Sequence, residues 1–275
     1  MLMSVGCKGG KATENKNEKG RYVEEQYELP IESITDMTQL ENGDIMLVGS
    51  GEDGQLVKLT SKDGGKTWEN KEIELPKAEG LETSTNEIVA CPNGEIIFSY
   101  VQTEGKEIGV DTEVKYGKID NSDAVKDLNI NPVSEDGSKA VASGLQMADN
   151  GDIFYINLNT LVQLDGETLE EKNKYESGNY ISGYALLGEQ LIVNDQNDVV
   201  SYDITSGEEK GKLEGLKKEL IDSKDDDYKA IINSNSKNKI YYSSDLGLFE
   251  YDLEADKTKK LIDGAISRFG SLGFG

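Results

Sequence analysis

The 275-residue chain carries 53 acidic against 29 basic residues, 30 glycines, four prolines and no histidine. A net charge of −24 repels phosphate backbones and anionic bilayer surfaces, which argues against nucleic acid as a partner. The missing histidine removes the commonest general base, the serine and cysteine triads and most zinc ligand sets.

In chain order, the start reads Met1-Leu2-Met3-Ser4-Val5-Gly6-Cys7, and a tail rich in Lys, Gly, Asn and Glu follows through Gly20. It resembles the end of a bacterial lipoprotein signal, in which small residues precede a cysteine that is lipidated and becomes the mature N-terminus. Val5 and Gly6 fit that pattern, whereas Ser4 stands where an aliphatic residue is usual. The resemblance implies a lipid anchor at Cys7, with residues 1–20 as signal remnant and polar tether. The charged start and most of the apolar core of such a signal are missing, so a start codon upstream of Met1 is expected. Chance placement of one cysteine in a leader is the other reading. No stretch approaches the roughly 18 apolar residues that span a bilayer. Cys91 enters a strand and reads as a small buried apolar residue, not half of a disulfide.

Arg21 to Pro30 aligns without a gap on Thr67 to Pro76, each ending Glu-Leu-Pro, 46 residues apart. The second copy closes a unit, so both are expected as outermost fourth strands ended by proline. Five copies of a large apolar residue, a polar one and Leu or Tyr follow: Val57-Lys58-Leu59, Val114-Lys115-Tyr116, Val162-Gln163-Leu164, Val200-Ser201-Tyr202 and Phe249-Glu250-Tyr251. They lie 57, 48, 38 and 49 residues apart. Repeats of roughly 40–50 residues made of short strands predict an all-β fold, a β-propeller of four-stranded blades. Asn42-Gly43, Asn93-Gly94 and Asn150-Gly151 predict type I′ hairpins after each inner strand. Ile153 to Leu164, Leu191 to Tyr202 and Ile240 to Tyr251 each span eleven residues, a constant second-to-third-strand unit.

The propeller is therefore assigned to 21–275, with blades near 31–76, 86–133, 139–177, 179–215 and 228–264. Insertions are expected at Val101 to Thr112 and, as a short helix, at Leu216 to Asp227. About five blades are present, with an N-terminal outer strand and, at Ile266-Ser267, the start of a sixth. The expected ring is incomplete, and the chain reads as a piece of a longer protein.

Ser61-Lys62-Asp63-Gly64-Gly65-Lys66-Thr67-Trp68 resembles the Asp-box of BNR-repeat propellers. That resemblance implies a third-to-fourth-strand hairpin. In it Ser61 and Asp63 bond turn amides, Gly65 and Thr67 shape the turn, and Trp68 packs between blades. It implies no activity. Sialidases that carry the box use three arginines, and this chain holds only Arg21 and Arg268. With 53 acids, no particular carboxylate pair is informative. Asp120-Asn121-Ser122-Asp123 and Asp225-Asp226-Asp227 offer oxygens to calcium without matching a calcium loop. No phosphate loop is present, no metal or cofactor is expected and no catalytic residue is assigned. Thirteen tyrosines are expected mostly in blade packing.

The lipobox-like start, the tether and the Tyr-Glu-Leu-Pro strand leading into Asn-Gly blades resemble the N-terminal region of clostridial extracellular solute-binding lipoproteins. This implies a non-catalytic recognition or scaffold propeller at the outer face of the bacterial cell membrane. It would capture extracellular solute or glycan, with a glycan, peptide or transporter as partner. The alternative is a carbohydrate-active enzyme with carboxylates at the propeller channel, not a sialidase. A cytosolic repeat protein follows if Cys7 is not lipidated.

Overall fold

The computed structural model describes residues 2–4, 26–51, 55–76, 79–103, 114–128, 130–132, 140–222, 229–232 and 238–264. Strands β1 (Leu2–Ser4) and β2 (Gln26–Glu28) pair antiparallel as a small sheet of their own. The segment expected as an outer blade strand thus takes β1 as its partner instead. Blade one holds β3 (Ser33–Gln39), β4 (Ile45–Ser50), β5 (Leu56–Ser61) and β6 (Glu69–Ile73). Blade two holds β7 (Glu82–Ala90), β8 (Ile96–Thr103), β9 (Val114–Ile119) and β10 (Val125–Leu128). Blade three holds β11 (Ser143–Met147), β12 (Ile153–Asn157), β13 (Thr160–Leu164) and β14 (Glu171–Glu176). Blade four holds β15 (Gly183–Leu187), β16 (Gln190–Asn194), β17 (Val199–Asp203) and β18 (Glu209–Lys212). Blade five holds β19 (Ala230–Ile232), β20 (Lys239–Ser244), β21 (Gly247–Asp252) and β22 (Lys257–Asp263).

Every blade is an antiparallel sheet with its strands in chain order, and the five are arranged as a β-propeller. The first strand of each blade is innermost. Middle strands are sandwiched between neighbouring blades, so β12 and β16 are buried on both faces, whereas the outer β14 and β18 are largely exposed. That is why the middle strands read as apolar runs and the outer ones as charged alternation.

Five buried clusters make the core among the described residues. Four bridge consecutive blades: Met46 and Val48 with Ile88 and Phe98, Ile97 and Tyr116 with Leu145 and Tyr155, Phe154 and Tyr175 with Tyr184 and Leu191, and Ile192 and Leu216 with Ile240 and Tyr242. The fifth packs the other face of blade one, where Leu47, Val57 and Leu59 meet Leu29 and Ile31. Leu75, the aligned partner of Leu29, packs at the interface between blades one and two. The two Glu-Leu-Pro segments thus place their leucines alike. Helix α1 (Glu214–Leu220) follows blade four and buries Leu216 and Leu220. Residues 223–227 of that expected insertion and 104–112 of the one expected at Val101 to Thr112 lie outside the described residues, as does Ile266-Ser267. No helix among the described residues is long and apolar enough to cross a membrane.

The Asn-Gly turns are built identically but are not type I′. Gly43, Gly94 and Gly151 have φ of 89°, 88° and 87°, whereas Asn42, Asn93 and Asn150 are not in the left-handed region. Each glycine N–H closes the turn onto the carbonyl three residues back, at 2.8–2.9 Å. This is the longer hairpin in which a left-handed glycine follows the turn. Each asparagine Oδ1 accepts the N–H two residues on, and its Nδ2 donates to the acid there: Asp44, Glu95 or Asp152. An Asx turn therefore sets these corners, and glycine is needed only at the left-handed step.

The eleven-residue units close one cross-strand pair: Ile153 with Leu164, Leu191 with Tyr202, and Ile240 with Tyr251. In blade one Ile45 pairs with Ser61, so Leu59 sits two steps further along, on the same face as its counterparts. In blade two Ile96 pairs with Ile119, and Tyr116 falls an odd three steps away, packed towards blade three. The Val114-Lys115-Tyr116 copy is thus not equivalent to the others, because side chains alternate faces along a strand.

Candidate functional face

Chain order gives the propeller two unlike ends. First-to-second and third-to-fourth hairpins lie at one end, here the turn face. Second-to-third hairpins and blade-to-blade connections lie at the other, the loop face. Two kinds of corner recur on the turn face. Besides the Asn-Gly corners, Asp165, Asp203 and Asp252 stand at the ends of their third strands and accept N–H bonds from residues two and three on, at 2.9–3.1 Å. The loop face carries α1 and the long connections, and loops on a rigid frame are where binding residues concentrate.

The large apolar side chains that stay exposed among the described residues are Val141, Leu158, Tyr180 and Leu246, and all four lie on the loop face. Val141 precedes β11, Leu158 tips the β12–β13 hairpin, Tyr180 precedes β15 and Leu246 tips β20–β21. Tyr180 is 53% exposed and sits above a polar brace. Ile181 N–H reaches the Leu158 carbonyl at 3.3 Å, which brings Tyr180 beside Leu158. Asn159 Nδ2 donates to the Ser177 carbonyl at 3.3 Å, and Ser177 Oγ donates to Asp195 Oδ2 at 2.5 Å. Asp195 also takes the N–H groups of Asn197 and Asp198. Burial would raise the Asp195 carboxyl, but the Ser177 and backbone bonds outweigh it and hold it below its ordinary range. The hairpin tips of blades three and four are therefore fixed to one another, and Tyr180 and Leu158 stand on a rigid base.

Two inner-strand carboxylates clasp neighbouring blades. Asp36 of β3 accepts the Ala90 N–H at 2.8 Å, and Glu87 of β7 accepts the Leu145 N–H of blade three at 2.9 Å. Both lie six residues before an Asn-Gly turn, next to a bulge in the strand. Burial pushes the Glu87 carboxyl up to about 7, against the bonds from Leu145 and Gly144 and with help from the charge on Asp36. These residues were not singled out in the sequence. The recurring acid six places before Asn is the signal that finds them.

The expected site residues have defined places. Cys7, Asp225, Asp226, Asp227, Arg21 and Arg268 lie outside the described residues. Ser61, Asp63, Gly65 and Thr67 form one turn between β5 and β6. Ser61 Oγ donates to Asp63 Oδ1 at 2.9 Å, Gly65 N–H reaches Ser61 Oγ at 2.8 Å, and Thr67 bonds Asp63 through both N–H and Oγ1. The Thr67 bonds lead in holding the Asp63 carboxyl down to about 2. Gly65 has a φ of 93°, left-handed as the motif requires. Trp68 packs against the blade-one cluster of Leu29 and Ile31, not between two blades, and its Nε1 is buried without a hydrogen-bond partner.

Asp120 accepts bonds from Ser122 and Ala124 and pairs with Lys126 at 3.1 Å, while Asp123 is held by Lys58 at 2.7 Å and by Lys71. These oxygens serve the turn and tie blade one to blade two. Among the described residues no group of three or more acids or cysteines is placed to hold a metal ion. Cys91 is buried, and its thiol is pushed far up by that burial.

No protein-family model matches the chain, and no curated protein matches it. Solved structures do. A chain of the nidogen/laminin complex is 11% identical with a TM-score of 0.54, over 87% of this chain and 84% of that one. Dipeptidyl peptidase 4 of Porphyromonas gingivalis is 9% identical with a TM-score of 0.51, over 88% of this chain but 41% of its own length. Apo AztD of Citrobacter koseri is 12% identical with a TM-score of 0.44, over 86% and 88%. At these identities the first two likenesses show the fold alone, and that fold is the β-propeller.

Proposed function

We propose that this chain is a non-catalytic recognition propeller of a bacterial lipoprotein, tethered through Cys7 to the outer face of the cell membrane. Its loop face would present Tyr180 and Leu158 to an extracellular solute or glycan. The observation that carries this reading is the gathering of the exposed large apolar side chains on the loop face. An exposed tyrosine on a rigid base suits the apolar face of a sugar ring. The Asp-box resemblance belongs to the same reading and concerns the frame only.

On a glycan array, the full chain should bind at least one ligand class, and Tyr180→Ala should weaken that binding by roughly 10-fold or more. No binding to any glycan, or equal binding by the variant, defeats the proposal. Anchoring is tested apart from binding. Cells fed a labelled lipid precursor should label the wild type and not Cys7→Ser, and an unlabelled wild type removes the anchor. Processing before Cys7 would also remove Leu2–Ser4, the strand paired with Gln26–Glu28.

Glu87 gives the enzyme reading its specific support, since a carboxyl near 7 matches general acid or base work. Hydrolysis of a chromogenic glycoside that Glu87→Gln abolishes would favour that reading over the first.

A further inference from the structure

A groove of about 380 Å³ lies between blades four and five, running along β18 from the turn-face residues Asn238, Leu253 and Glu254. Its origin is legible in the ladder. One step in from the closing pair of the second and third strands, the third strand directs a side chain towards the next blade. In blade two that residue is Lys118, which reaches the Gly166 carbonyl of blade three at 3.3 Å. In blade three it is Gln163, fully buried, which donates to Asp152 at 2.6 Å and accepts from Tyr175 at 2.8 Å. In blade four it is Ser201, paired with Ile192 on the one side and Gly211 on the other. A hydroxyl and a hydrogen thus stand where blade three has Gln163 and Asn173. A Cβ added at Gly211 would meet nothing within 4 Å.

The walls have a definite chemistry. A bulge places Lys210 as an extra residue in β18, so that Lys210 and Lys212 both line the groove. Lys210 Nζ is held by Asp203 at 2.8 Å and Lys212 Nζ by Asp198 at 2.5 Å, and each ammonium keeps further N–H donors for a ligand. Ser201, Gln190 and Asn238 add hydroxyl and amide groups, Leu213 and Leu253 supply apolar surface, and Glu254 adds an exposed carboxylate that a ligand must turn away from. Two cations, each held by an aspartate, the Glu254 carboxylate, several neutral donors and acceptors, and apolar walls share this one concavity. The volume falls within the range of small-molecule sites.

We propose that this groove binds a small hydroxylated carboxylate of the sugar-acid class. Lys210 and Lys212 take the carboxylate, Ser201 and Gln190 the hydroxyls, and Leu213 and Leu253 the C–H face. The site is independent of the loop face and of the anchor at Cys7.

The test is calorimetric titration of the full chain with D-glucuronate and, separately, with D-glucose. Glucuronate should bind saturably, and glucose at least roughly 10-fold more weakly, because charge-assisted bonds to the carboxylate are missing. Ser201→Gln, which installs the side chain blade three carries, should abolish glucuronate binding while the melting temperature is kept. Lys210→Gln with Lys212→Gln, both on exposed side chains, should erase the preference for glucuronate without touching the core. Tyr180→Ala should leave this binding unchanged even if it loses the loop-face ligand. Absence of saturable glucuronate binding, equal affinity for glucose, or wild-type binding by Ser201→Gln in a folded protein each overturns the proposal.

Discussion

Phe154→Ala should destabilise the protein by about 4 kcal/mol, as complete removal of a buried aromatic ring typically does. Phe154 is fully buried in β12 and occupies the middle of the interface between blades three and four. Its ring stacks on Tyr175 at 6.5 Å and tilts against Tyr184 at 6.3 Å between centroids. The cavity cannot collapse readily. Tyr184 is pinned by its hydroxyl, which donates to the Gly144 carbonyl at 2.5 Å, and Tyr175 by its bond to Gln163. Urea unfolding of wild type and variant at one pH measures the difference. A loss of under about 1 kcal/mol would mean that this interface is not the close-packed seam described above. Phe154→Leu should recover more than half of the loss, since most of the apolar volume returns.

The fold was legible because each blade repeats the same local solutions. The Asn-Gly corners, the eleven-residue hairpin units and the apolar middle strands follow from turn chemistry and from burial on both faces, and both are written locally. What was not legible depends on register and on distance. The polar middle residue of the repeat seemed interchangeable, yet its ladder position and its side-chain size together decide its use. Lys58 ties Asp123 of the next blade, Gln163 fills an interface, and Ser201 leaves a groove. A string of letters does not show that blade two is offset by an odd step. The turn type was misjudged because Asn-Gly suits two hairpin geometries, and only the position of the closing bond distinguishes them. Asp165, Asp203 and Asp252, each directly after the Leu or Tyr of the repeat, were a readable signal for the second turn. Glu87 was hidden among 53 acids, and only the fold carries it to an inner strand.

Glu87→Gln should make the protein more stable than wild type at pH 8 and leave it equal at pH 4.5. The Glu87 carboxyl titrates near 7 in the folded protein, raised from 4.5 chiefly by burial. A folded value above the unfolded one means that the native state holds the proton more tightly. The resulting stability is full below about pH 4.5 and drains away as pH rises through about 7. At 1.36 kcal/mol per unit the ceiling is about 3 kcal/mol. Glutamine keeps an Oε1 to accept the Leu145 N–H and has no proton to lose, so it removes the dependence without removing the clasp. Among the described residues, Asp36, Tyr116 and Tyr184 sense this charge. Asp36 is the same in variant and wild type, and burial keeps both phenols protonated throughout the range. The pH trend in the difference between variant and wild type therefore belongs to Glu87. Urea midpoints of both proteins at pH 4.5, 6, 7 and 8 should converge in acid and separate progressively above pH 5. Curves that run parallel throughout would mean that the carboxyl is hydrated and ordinary. In that case the clasp between blades two and three has no proton-dependent strength, and the specific support for acid–base chemistry at the channel is gone.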